Sequence, residues 1–289
     1  MIYYTYPGFR NKALTISYDD GLWSDVHLLE ILNRYGIRGT FNLNSGCMTE
    51  ERRIGKEKIP ALYKGHEIAT HGVKHLTLAR CPMTDVVKEI LEDRQALEEL
   101  TGEIVCGHAY PNGSYSPEVK TLLPSLGIHY ARTATDTGLY THPQDFYEWN
   151  PTCHHNNRLM YHAKDFLSFD LPQFQYLFYV WGHSYEFDRD NNWYVIEEFC
   201  KMIGGREDIW YATNAEVCHY LMAVKQVHTS VDEKLLFNGS GQDIYLIRNG
   251  ENILLRPGEL QRIHSPESHG KLRKIVKAKD LKSGSAGMP

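Results

Sequence analysis

The chain has 289 residues, 42% of them hydrophobic, enough for one large core and a length met in single α/β barrels as well as in pairs of small domains. Its 31 Lys and Arg against 36 Asp and Glu leave a net charge of -5 with no long basic run, which argues against nucleic acid as a partner. The opening segment MIYYTYPGFRNKALTISYDDG lacks the order of a secretory signal and no apolar run is long enough to span a bilayer, so the expectation is a cytoplasmic chain with no membrane partner.

Residues 13–18, ALTISY, read as a short buried strand ending in Asp19-Asp20-Gly21, which puts two carboxylates at a strand's C-terminal tip. Ser24 or Asp25 can cap a helix whose Leu28, Leu29, Ile31, Leu32 and Tyr35 recur at helical spacing, with Gly36 as its stop. A strand over 37–43, another over 66–70, a helix after Pro82 and Thr84 running to about Leu100, and a strand in EIVCGHAYP repeat the rhythm. A helix over 117–126, a strand over 129–133, a buried strand over 176–183, a helix over 192–204 and a strand over 208–213 complete six or seven β/α units, hence parallel strands with helical crossovers. From residue 225 the pattern changes to short alternating stretches punctuated by Asn-Gly and Pro-Gly. This predicts a small β-hairpin appendage over 225–275 after a barrel over 1–224, and the polar segment 276–289 is expected to be a flexible tail. The appendage could cover one end of the barrel, bind glycan or make a dimer contact; its aliphatic strands leave a homo-oligomer open.

Adjacent aspartates before a glycine often make nothing more than a surface turn, but at a strand tip both can face one pocket, one binding a cation while the other stays free. In His71-Gly72-Val73-Lys74-His75 the i,i+4 spacing predicts two imidazoles on one face of a helical turn. The plain alternative, in a chain with 15 histidines, is a pair of polar loop residues. Asp20, His71 and His75 together would leave coordination positions open, a catalytic arrangement suited to one divalent ion, zinc by default and cobalt, nickel or iron as alternatives. Gly107-His108-Ala109-Tyr110-Pro111-Asn112-Gly113 closes another strand with a tight loop whose N–H groups can meet an oxyanion. His183 follows YLFYVW at the same rim, as an active-site group or as a satisfied core histidine. Glu186 and Asp188 either orient it or solvate a loop. Cys47, Cys81, Cys106, Cys153, Cys200 and Cys218 show no C-x-x-C pair and read as reduced thiols.

In that order SYDDG, YGIRGTFNLN, GHEIATHGVKH, AYPNGSYS and VWGHSYEF resemble the polysaccharide deacetylases of carbohydrate esterase family four, the NodB homology domain, over roughly residues 12–222. The resemblance implies a distorted (β/α)7-type barrel and a metal-dependent hydrolase acting on acetylated oligo- or polysaccharides. Asp19 would be the base, Asp20, His71 and His75 the metal ligands and His183 the acid. It also implies a groove lined by Tyr110, Pro111 and Asn112, with the Asn112 amide an oxyanion donor and Trp149 an aromatic wall. The arginine that many members carry in the third motif is Ala109 here, and Arg132 is the candidate to reach the same place. Hydrolysis of a small non-sugar amide on the same fold, or a non-catalytic carbohydrate-binding barrel, are the alternative readings.

Overall fold

The computed structural model describes residues 1–263. In chain order its elements begin with β1 (Ile2–Thr5), β2 (Lys12–Asp19), α1 (Ser24–Arg34), β3 (Thr40–Leu43), α2 (Ile59–Leu62), β4 (Glu67–Thr70), α3 (Met83–Thr101), β5 (Gly107–Ala109), α4 (Pro117–Leu122) and β6 (Tyr130–Arg132). They continue with β7 (Cys153–His154), α5 (Leu159–Ser168), β8 (Tyr176–Gly182), α6 (Tyr185–Arg189), α7 (Trp193–Ile203), β9 (Ile209–Tyr211) and α8 (Asn214–Val224). Five short strands follow: β10 (Val227–Thr229), β11 (Leu235–Asn238), β12 (Ile244–Arg248), β13 (Glu251–Leu255) and β14 (Leu260–Arg262).

The parallel strands form one curled sheet in the order β6-β5-β4-β3-β2-β8-β7, with β9 paired to β2 beside them. Its two ends meet where Trp149 bridges Arg132 while Thr152 donates to the Tyr179 carbonyl, so the segment before β7 closes a distorted barrel. All eight residues of β2 are buried, as befits a central parallel strand covered on both faces. Leu14, Ile16 and Tyr18 join Leu28, Leu32, Phe199 and Ile203 of the helices in the largest core cluster. The amphipathic spacing behind α1 is thus satisfied, but its cap is not. Ser24 and Asp25 make no capping hydrogen bond, because the Asp25 carboxylate turns inward to accept from the Tyr63 and Ser184 hydroxyls.

The C-terminal strands form two antiparallel three-stranded sheets, β10-β11-β14 and β1-β12-β13. Asn249 and Gly250 turn the β12–β13 hairpin with positive φ at both positions, the geometry that favours Asn-Gly there. The N-terminal strand β1 pairs with β12 across the whole chain, Ile2 opposite Arg248, and the Tyr220 hydroxyl donates to the Thr5 carbonyl to dock α8 on this sheet. Residues 264–275 of the expected appendage and the expected tail over 276–289 lie outside the described residues. The cysteines are free, and among the described residues no helix is long and apolar enough to cross a membrane.

Candidate active site

Parallel strands carry their C-terminal ends to one rim, and that is where the candidate residues gather. Asp19 is the last residue of β2 and is only 2% exposed. One of its oxygens, Oδ1, accepts from Asn42 Nδ2 of β3 at 2.8 Å, and the other, Oδ2, accepts from Arg132 Nη2 of β6. The Arg132 guanidinium is buried, with its carbon 4.5 Å from the centre of the Trp181 ring. Oδ2 also lies 3.8 Å from Nε2 of both His71 and His183. Burial opposes the charge on Asp19, yet the adjacent Arg132 guanidinium above all outweighs it and holds the carboxyl well below the usual carboxylate range. Asp19 is ionised at neutral pH.

Asp20 takes the left-handed backbone (φ 83°), and its carboxylate meets the same His71 Nε2 that Asp19 approaches. Its Oδ1 is buried without a hydrogen-bond partner, 4.0 Å from His71 Nε2 and 3.9 Å from His75 Nε2. The segment 71–75 is not the helical turn its spacing predicts but a loop, with Gly72 and His75 both at positive φ. The helix that shapes it is α3. Asp93 accepts the Ser45 and His71 amides at 2.7 and 3.0 Å, and Glu89, one turn away, accepts the Lys74 amide at 2.9 Å. A Cβ on Gly72 would come within 2.9 Å of Glu89 Oε2, so only glycine lets that carboxylate close on the loop.

The donor set fits a divalent ion. His71 Nδ1–H donates to the Ala109 carbonyl at 2.8 Å, which leaves the Nε2 lone pair toward Asp20, the tautomer a ligand needs. Burial, the leading cause, lowers the His71 pKa to about 4, so its ring is neutral. The three ligand atoms lie within 4.8 Å of one another, slightly wider than the roughly 3.4 Å edge of a tetrahedral zinc site. Arg53 Nη1 stands 3.4 Å from the same Asp20 oxygen.

His183 leaves the end of β8 with 21% of its side chain exposed, facing Asp19 through Nε2. On its other side Glu186 lies 3.7 Å from Nδ1 and also 3.0 Å from His154 Nε2 and 3.2 Å from His155 Nε2. Burial lowers the His183 pKa, but Glu186, Asp19 and Asp20 together raise it above the ordinary imidazole value. Asp188 instead receives the Ser24 hydroxyl and the Trp193 indole N–H.

The third loop is mixed. Pro111 packs against Gly72, and Asn112 is exposed at φ 56° with an amide that has no acceptor among the described residues. Tyr110 and Trp149, expected along the groove, are each 1% exposed and belong to the core. Tyr110 stacks on Tyr115 and donates to the Tyr147 carbonyl, and Trp149 packs on Tyr130, Phe146 and Tyr179 at the barrel seam. The aromatic groups beside the site are others. A cleft of about 920 Å³ opens next to Asp20, lined by Trp23, Arg53, Tyr185 and Arg189, and Trp23 is 42% exposed. No periodicity marks these residues, since all sit in loops or at the two ends of the short helix α6; Asn42, near the end of an apolar strand in NLN, was the most findable of the missed contacts.

The chain is similar to several known proteins. Residues 7–131 match the family model for polysaccharide deacetylase. A chitooligosaccharide deacetylase from Sinorhizobium fredii is 22% identical over 139 residues, 47% of this chain and 63% of that relative, so the match spans less than two thirds of the relative's length. A Mycobacterium smegmatis protein named for polysaccharide deacetylase superposes with a TM-score of 0.58 at 18% identity, covering 76% of this chain and 93% of that one. An allantoinase superposes with a TM-score of 0.56 at 16% identity, covering 74% and 91%. At these identities the two structures share the fold. Residues 7–131 thus match the polysaccharide deacetylase family model, and the barrel built around them shares its fold with these two structures.

Proposed function

We propose that this protein is a metal-dependent hydrolase that removes acetyl groups from N-acetylated or O-acetylated sugars. The observation that carries the reading is the buried Asp20 Oδ1, which makes no hydrogen bond and faces the Nε2 atoms of His71 and His75, next to an ionised Asp19 and a histidine. A divalent ion held by Asp20, His71 and His75 would supply Lewis acidity to the acetyl carbonyl and acidity to water. The chain's own groups account for the proton traffic. Asp19, kept ionised and oriented by Arg132 and Asn42, takes the proton of the attacking water. The unpaired Asn112 amide offers a donor to the developing oxyanion. His183, its charge favoured by Glu186 and Asp19, gives its Nε2 proton to the departing amine. Trp23 and Tyr185 offer sugar-stacking faces along the cleft.

The test is acetate release from a panel of N- and O-acetylated oligosaccharides by metal-stripped, zinc-loaded and cobalt-loaded protein, with Asp19→Asn as control. Metal-dependent release lost in the variant supports the proposal and names the substrate class. Binding of one metal without release from any glycan would redirect it to a small non-sugar amide, and failure to bind metal at all would overturn it.

A further inference from the structure

We infer that the opposite end of the barrel carries a second metal site, made of Cys106, His129 and His219, that takes a thiolate-preferring ion such as zinc. Cys106 and His129 immediately precede β5 and β6, so they sit at the N-terminal ends of parallel strands whose C-terminal ends carry the active-site rim, and His219 comes from α8. The three ligand atoms lie within 4.8 Å of one another: His219 Nε2 is 3.7 Å from Cys106 Sγ and 2.8 Å from His129 Nδ1. Zinc bonds of about 2.3 Å to sulfur and about 2.05 Å to nitrogen, held tetrahedrally, require roughly 3.6 Å between S and N and roughly 3.3 Å between two N atoms. The Cys106–His219 spacing already matches. The exposed His129 ring has to withdraw by about half an ångström, exchanging its hydrogen bond to His219 for a shared ion.

The backbone around the cluster is fixed independently of any ion. His129 N–H donates to the Cys106 carbonyl at 2.7 Å, and Cys218 beside His219 points its thiol at the His129 carbonyl. A cavity of about 190 Å³ borders Cys106 and His219 and leaves room for a water as fourth ligand. Glu67 and Glu103 also line it, and the positive charge nearby, Arg38, is paired with Glu216. A mixed thiolate and imidazole set suits zinc, cobalt(II) or copper and disfavours magnesium or calcium. Cys106 binds as thiolate, so its proton passes to the buffer on metal uptake.

Cobalt(II) provides a readout that the Asp/His/His rim cannot mimic, because only sulfur ligation produces a thiolate-to-cobalt charge-transfer band in the near ultraviolet. The reduced 289-residue chain titrated with cobalt should show this band with the amplitude of one sulfur-bound ion per chain, beside the ion taken up at the rim. A His71→Ala/His75→Ala variant should retain it, which separates this site from the proposed catalytic one. Cys106→Ser and, independently, His219→Gln should abolish it while leaving cobalt binding at the rim. A wild-type titration without a sulfur band, or a band that persists in Cys106→Ser and therefore comes from another cysteine, would overturn the assignment.

Discussion

Arg132 Nη2 donates to Oδ2 of Asp19 across the barrel interior, from β6 to β2, with three strands of the sheet between them. The carboxylate is buried, and Asn42 occupies its other oxygen, so the arginine both supplies the compensating charge and fixes the direction of the lone pair that would accept a proton.

Arg132→Ala should therefore lower kcat on an acetylated oligosaccharide by about 100-fold, about 2.7 kcal/mol of transition-state stabilisation, and move the acid limb of the pH profile upward as Asp19 loses its strongest counter-charge. Unchanged turnover would remove Arg132 from the site. The same variant tests stability. The Asp19 pKa is lower folded than unfolded, so the pair's contribution is complete above about pH 4 and is lost as pH falls through the depressed folded value. Thermal unfolding should show Arg132→Ala less stable by about 3–5 kcal/mol at pH 7, with the difference shrinking in strong acid.

Asp93 should control metal affinity without touching the ion. It holds the amides of Ser45 and His71, and with Glu89 it shapes the loop that presents both imidazoles. Asp93→Ala should weaken metal binding by about 10–100-fold in a chelator competition, the usual range for partners that orient ligands. An unchanged affinity would mean that the loop keeps its shape by packing alone.

The basic limb of the pH profile should belong to His183. Its raised pKa means that the protonated form persists at low pH and is lost as pH climbs through that value. Glu186→Gln removes the first of the contributions that raise it, so the basic limb should move to lower pH while the acid limb stays. His183→Ala should cost about 10²–10⁴-fold on an N-acetyl substrate and less on an O-acetyl ester, whose leaving group needs the acid less. Equal losses on both would contradict the acid role.

Trp23 should act on binding. Its exposed face borders the cleft, and Trp23→Ala should raise KM by about tenfold, roughly 1.4 kcal/mol, with kcat little changed. Unchanged kcat and KM would place Trp23 outside the substrate path.

The placement of the candidate residues at one rim was legible where they end an apolar strand. Asp19 and His183 each follow such a run, and a parallel strand delivers whatever follows it to one rim. The aromatic positions were not. Tyr110 and Trp149 also stand near strand ends, but the pattern does not say whether such a ring faces the groove or the layer behind it, and both pack into the core. The i,i+4 histidines do converge on Asp20, yet through a loop shaped by Glu89 and Asp93 from another element, a dependence that no local spacing encodes.

By itself the sequence determined most of the β/α units in order, though not β7 and α5, the presence of Asn-Gly turns among the C-terminal strands and the identity of the groups at the strand tips, because hydrophobic period, turn preference and side-chain chemistry are local properties. Only the tertiary structure decided that Arg132 reaches Asp19, that Glu186 stands between His183 and two further histidines, and that β1 pairs with β12. Each of these joins residues brought together by closure of the sheet or by pairing between distant segments, and such contacts depend on the curvature and register of the whole barrel, which no short window of sequence contains.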